Sequence, residues 1–215
     1  MLNIVTFILG PVKTNAYLVA DSESLNAAVI DPAWDGRLIL DEAHKHNWRI
    51  AHLWYTHAHF DHIGGAGAIA DGLNPLPLVA LHPADHVLWR AEGGASLFGF
   101  KIDPGPEPTI DLIQGQILRL GNVEFEVRFT PGHTLGHCIF YVPSANVCFC
   151  GDLIFQNSIG RTDLPGGDSN ALLHSIETQV FTLPDATRLL SGHGPESTVG
   201  KEKKFNPFVG ASSIR

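Results

Sequence analysis

The chain has 215 residues, 44% of them hydrophobic and 17% charged, with glycine and proline spread along its length. That is enough apolar material for one substantial core and too much for a disordered chain, so a single domain over residues 1–215 is expected. The formal charge of −8 argues against a general binder of nucleic acid or anionic membrane, because such partners are held by excess Lys and Arg; a small-molecule substrate fits better.

No run of about 18 apolar residues occurs, and the opening MLNIVTFILG lacks the basic start and cleavable tail of an export signal. A cytoplasmic location with no membrane span is therefore expected. Cys138, Cys148 and Cys150 are odd in number and show no CxxC spacing. They read as buried thiols, the last two alternating on one strand face, and not as metal ligands.

In chain order, NIVTFIL, NAYLVA and NAAVIDP are β-rich runs separated by turn signals. WDGRLILDEAHKHNW follows a helical period, IAHLWYT is a short buried strand, and GGAGAIADGL reads as a helix starting near His62. LPLVALH predicts another strand, followed by a helix over PADHVLWRAEGG with proline in its first turn. The proline-rich FKIDPGPEPTID is a surface connection. A strand pair turns at Gly121 and Asn122, and a hairpin turns over Pro143 to Asn146. GGDSNALLHSIETQVFTL is a helix capped by Asp168 or Ser169, ATRLLSGHG is a last strand ending in a loop, and KEKKFNPF reads as a polar tail. This order suits two sheets packed face to face with helices outside.

Four loops after apolar runs carry His or Asp: THAHFDH, TPGHTLGH, GDLIF and SGHGP. Strand ends converge on one rim in layered folds, so the candidate set is His57, His59, Asp61, His62, His133, Asp152 and His193. Five imidazoles and two carboxylates exceed the three or four protein donors of one tetrahedral zinc site, and two ions suit them better. His57 and His59, two apart in an extended segment, can grip one ion, and Asp61 and His62 can face a second. Asp152 has two oxygens with which to bridge, and a pair of ions would make hydroxide available at neutral pH. His44, His46, His52, His82, His86, His137 and His174 are expected in surface or structural roles.

THAHFDH matches the HxHxDH signature of the metallo-β-lactamase superfamily, and PGHTLGH, GDLIF and GHG match its remaining motifs in order. Within that superfamily the chain resembles the glyoxalase II-like hydrolases, through GPVKTNAYLV, GDLIFQNSIGRTDLPGGD and SGHGPESTVGKEKKFNPF. The resemblance implies an α/β fold built as a four-layer αββα sandwich. It implies one metal on His57, His59 and His133, a second on Asp61, His62 and His193, and Asp152 between them. Two divalent ions, zinc first and iron or manganese next, would support hydrolysis of a small thioester such as a hydroxyacylglutathione, with Asp61 orienting the nucleophile.

The main zinc class of β-lactamases usually has Cys where this chain has Asp152, which favours the thioesterase and esterase side. Classical glyoxalase II also has a C-terminal helical domain that supplies basic residues for glutathione, and this chain is expected to lack one. Substrate recognition is then expected from elsewhere, with Arg161 meeting a substrate carboxylate or else pairing with Asp163. The alternatives are a mononuclear-iron persulfide dioxygenase, a lactonase, esterase or weak β-lactamase of the same fold, and a non-catalytic metal-stabilised module.

Overall fold

The computed structural model describes residues 1–211. Its first half holds β1 (Leu2–Leu9), β2 (Thr14–Asp21), β3 (Asn26–Ile30), α1 (Gly36–Lys45), β4 (Arg49–Trp54), α2 (Phe60–Ile63), α3 (Ala66–Asp71), β5 (Leu78–Leu81), α4 (His86–Arg90) and β6 (Ile110–Asp111). The second half holds β7 (Ile117–Leu120), β8 (Val123–Phe129), β9 (Cys138–Val142), β10 (Val147–Gly151), β11 (Ile154–Phe155), β12 (Ser158–Ile159), α5 (Ser169–Ser175), β13 (Arg188–Ser191), β14 (Ser197–Thr198) and α6 (Val199–Phe205).

One six-stranded sheet runs β1-β2-β3-β4-β5-β6, and a second runs β14-β13-β10-β9-β8-β7. The central strands are buried on both faces, which is why they read as continuous apolar runs. In β2, Ala16, Leu18 and Ala20 pack under the first group of helices, whereas Tyr17 and Val19 face the other sheet. Cys148 and Cys150 of β10 pack beneath α5 while Val147 and Phe149 enter the inter-sheet core. Three apolar layers therefore separate four structural layers, helices, sheet, sheet and helices, as the resemblance implies. All three thiols are buried and free.

Several expectations need correction. The helix expected from GGAGAIADGL is two short ones, α2 and α3, joined across Gly64 and Gly65. PADHVLWRAEGG breaks into a 3-10 turn over Pro83–Asp85, α4, and an irregular segment in which Gly93 and Gly94 are left-handed. The KEKKFNPF stretch is not a tail. Most of it is α6, capped by the Thr198 hydroxyl, and its Glu202 is buried and bonded to Ser197, Asn157 and Asn206. An isolated polar sequence gives no sign of a carboxylate buried by the fold, with one of its three donors, the Asn157 amide, 45 residues away. Among the described residues, no helix is long and apolar enough to cross a membrane.

β3, β4 and β5 run parallel, and in the second sheet β8, β10 and β13 share one direction. Their C-terminal ends deliver Asp31, the His57–His62 loop, Asp85, His133, Asp152 and His193 to a single rim. Trp54, at the end of β4, anchors this delivery. It is almost wholly buried, with its ring 4.8 Å from Phe125 in an edge-on arrangement, which adds about 0.5–1.5 kcal/mol to its burial.

Candidate metal centre

The seven residues picked out in the four loops meet at this rim, in two groups. His57, His59 and His133 form one triad and Asp61, His62 and His193 another; within each, one donor atom per residue lies within 4.8 Å of the other two. Asp152 lies against both, with Oδ1 3.3 Å from His62 Nε2 and Oδ2 3.6 Å from His133 Nε2 and 3.5 Å from His193 Nε2. A register shift between Phe149 and Gly151, together with the left-handed Gly151, turns the chain out of β10 so that Asp152 is aimed here. Gly192 leaves room for it, since a Cβ at that position would overlap Asp152 Oδ1 and crowd the His62 ring.

The hydrogen bonds around the triads decide which imidazole nitrogens carry protons. His133 Nδ1 donates to the Arg161 carbonyl at 2.8 Å, so its Nε2 keeps a lone pair. The Thr56 hydroxyl donates to Asp31 Oδ2 at 2.7 Å and must accept from His57 Nδ1 at 3.0 Å. His62 Nδ1 donates to that same Asp31 oxygen at 3.0 Å. His57 and His133 thus turn an unprotonated Nε2 toward the cluster, and the Asp31 bond leaves Nε2 as the His62 nitrogen that a metal would take once it displaces a proton. Asp31 also accepts from the Thr56 amide at 2.8 Å. It lies as close to His57 and His62 as a ligand would, but its oxygens are already committed, and it acts as a buttress.

A divalent cation fits this donor set. His57 Nε2, His62 Nε2 and Asp152 Oδ1 are buried with no hydrogen-bond partner among the described residues, an arrangement that is costly unless something else satisfies them. Imidazole and carboxylate suit zinc, iron and manganese alike.

The halves differ electrostatically. Burial, helped by neighbouring imidazoles, holds His57 and His59 well below the usual histidine range, so they are neutral and ready to ligate. Burial also opposes charge on His62 and His193, but the surrounding carboxylates prevail. Asp152, Asp61 and Asp31 hold His62 above its ordinary value, and bonds to Asp152 and Asp61 lift His193 to about 9. Burial opposes ionisation of Asp61 as well, yet His62 and the bonds from His193 and Thr14 bring it to about 2.

Other residues at the rim carry no local signal in the sequence. Thr14 donates to Asp61 Oδ2 at 2.8 Å. Asn15 and Tyr17 donate to the Ser191 carbonyl at 2.9 and 2.6 Å. His137 is buried beside His57; its Nε2 accepts from the Asp152 amide at 3.1 Å and its Nδ1 meets Thr130. His44, His46 and His174 are exposed, and His52, His82 and His86 are half-buried elsewhere.

The cluster opens into a cleft of about 180 Å³ lined by Val12, Phe60, Phe98, Phe100 and Leu164 beside Arg161. Arg161 forms a two-point pair with Asp163, at 2.7 and 2.8 Å, on the exposed edge. A larger cavity of about 550 Å³ lies at the opposite ends of β4 and β5 and contains none of the seven residues. Size alone is a poor guide here, because the convergent donors are all in the smaller cleft.

A family model for the metallo-beta-lactamase superfamily matches residues 9–193. The probable metallo-hydrolase YqgX of Bacillus subtilis is 37% identical, covering 96% of this chain and 97% of its own. The hydroxyacylglutathione hydrolase GloC of Haemophilus influenzae is 33% identical, covering 94% and 95%. Among solved structures, the BLEG-1 B3 metallo-beta-lactamase superimposes with a TM-score of 0.88 at 35% identity, over 97% of this chain and 99% of that one. TTHA1623 in a di-iron-bound form gives 0.86 at 37%, over 95% and 99%. Two converging donor triads on the rim of an αββα sandwich, together with this match over most of the sequence, make the chain a member of the metallo-beta-lactamase superfamily.

Proposed function

We propose that the chain is a hydrolase of small thioesters that works with two divalent ions, zinc first and iron or manganese next. One ion would be held by His57, His59 and His133 and the other by Asp61, His62 and His193, with Asp152 serving both. The observation that carries the reading is Asp152, a carboxylate set between two triads whose buried donor atoms converge beside an open cleft. Two bound ions supply an activated water at neutral pH and polarise the substrate carbonyl.

The chain's own residues do the rest. Thr14 fixes one oxygen of Asp61, and the carboxylate orients the attacking water. Phe60, Phe98, Phe100, Val12 and Leu164 line the cleft and would displace water around a bound substrate, which would strengthen the charge interactions there. Arg161, on the cleft edge, can exchange Asp163 for a substrate carboxylate with the same two-point geometry. The 33% identity with a hydroxyacylglutathione hydrolase supports a hydroxyacylglutathione as first substrate. The likeness to a B3 metallo-beta-lactamase makes β-lactams the second class to try. A cytoplasmic setting suits a thioester of this kind.

Protein loaded with zinc, iron or manganese is expected to hydrolyse S-lactoylglutathione faster than lactone, β-lactam or persulfide substrates. A His59→Ala, Asp61→Ala double variant that keeps full activity would refute the mechanism. One iron per chain, with oxygen uptake on glutathione persulfide, would replace hydrolysis with oxidation.

A further inference from the structure

The two triads are braced by different parts of the fold. Behind the second, the start of β2 does the work. Thr14 bonds Asp61 and pairs with the backbone of His193, and Asn15 takes the Gly192 carbonyl with its amide at 2.7 Å and the Gly194 carbonyl with its side chain at 2.9 Å.

Behind the first triad stands Asp85, the last residue of the 3-10 turn after β5 and 1% exposed. Its Oδ2 accepts from the amide of Ala58, the residue between His57 and His59, at 3.0 Å. The same oxygen accepts from the hydroxyl of Thr134, the neighbour of His133, at 2.8 Å. Its Oδ1 accepts from the Gly136 amide at 2.6 Å. At Gly136 a side chain would meet this carboxylate, so the approach requires glycine there. All three donors are neutral, and among the described residues no cation pairs with Asp85. A buried carboxylate without a countercharge is retained at a cost. What it achieves is to tie the loop of His57 and His59 to the loop of His133, which are separated by more than 70 residues in the chain.

We propose that Asp85 is a positioning residue for one half of the metal centre: it clamps the His57/His59 loop to the His133 loop and sets the metal affinity of that half independently of the Asp61/His62/His193 half. The proposal rests on the ligand assignment above. Its selectivity follows from connectivity, because none of its three bonds reaches Asp61, His62 or His193. Asp31 differs in this respect, touching His62 directly and His57 through Thr56.

The experiment is stepwise cobalt(II) titration of the metal-free chain, followed by absorption spectroscopy and chelator competition. His59→Ala and His193→Ala identify which spectral component and which binding step belong to each half. In Asp85→Ala, the step lost in His59→Ala should weaken about ten- to hundredfold, with its spectrum altered. The step lost in His193→Ala should keep its wild-type affinity and spectrum. Thr134→Val removes one donor and retains the side-chain volume, so it reports the same selectivity, at smaller amplitude, if Asp85→Ala does not fold. Equal weakening of both steps, or unchanged affinity in folded variants, overturns the proposal while leaving the ligand assignment standing. A wild-type chain that binds no cobalt overturns both.

Discussion

Asp31→Asn tests the tautomer argument with almost no change of shape. Asp31 is left-handed (φ 50°), a conformation that asparagine also tolerates. The asparagine oxygen would keep the Thr56 amide, placing its NH₂ where Oδ2 now accepts from the Thr56 hydroxyl and His62 Nδ1. Both partners must then reverse. His62 accepts at Nδ1 and carries its proton on Nε2, while the Thr56 hydroxyl turns to His57 Nδ1 and moves that proton to Nε2 as well. Bonds to a charged group contribute about 1.5–3 kcal/mol against about 0.5–1.5 for neutral ones. Losing the charge from two of them costs about 2 kcal/mol. For a chain of this length that is a fall of roughly 4–8 °C in Tm, measured on the metal-free protein. Metal affinity should fall about ten- to hundredfold in both halves, because each loses a lone pair. Nitrogen-15 NMR of the imidazoles reads the tautomers directly. A variant with Nδ1-protonated His57 and His62 and wild-type affinity for both ions would refute the reasoning.

Gly192→Ala should cut metal affinity at the Asp61, His62 and His193 half by at least about tenfold, since its Cβ would displace Asp152 and His62; a two-ion chain of normal affinity in a metal titration would contradict this. Protons and metal compete at His193. Its pKa of about 9 in the metal-free chain means that affinity at this half rises with pH up to about 9, more steeply than at the half where His57 and His59 are already neutral. Calorimetric titrations across pH 6 to 10 would show it, and two parallel profiles would count against the assignment. The sign for stability is opposite. A raised histidine pKa stabilises the metal-free fold below about 6.5 and that contribution is lost as pH climbs toward about 9, so urea midpoints should decline over this window. Trp54→Ala should destabilise by about 3–5 kcal/mol, because its site between the sheets cannot collapse around rigid neighbours; a loss under 1 kcal/mol in urea unfolding would mean that Trp54 does not anchor β4 as described.

Much of the candidate centre was legible because its donor residues are written in short local motifs. His57, His59, Asp61 and His62 share one loop, and His133, Asp152 and His193 each follow an apolar strand, so strand ends on a common rim were enough to assemble them. The four layers were legible too, since runs such as TNAYLVA and VCFCG are apolar on both faces. Boundaries were less so. The glycines of the GGAGAIADGL segment permit either one helix or two, and Lys201 to Phe205 look like solvent-exposed chain until Glu202 finds its buried donors.

What the sequence determined by itself is the candidate donor set, because coordination chemistry demands particular side chains at close spacing. What only the tertiary structure decided is how those donors are held. Thr14 reaches Asp61 across 47 residues, Asp31 reaches His62 across 31, and Asp85 reaches Gly136 across 51. Nothing nearby in the chain marks these polar residues as different from ordinary turn formers. A buried hydrogen bond depends on where the backbone places its partner, and that is known only once both sheets have closed.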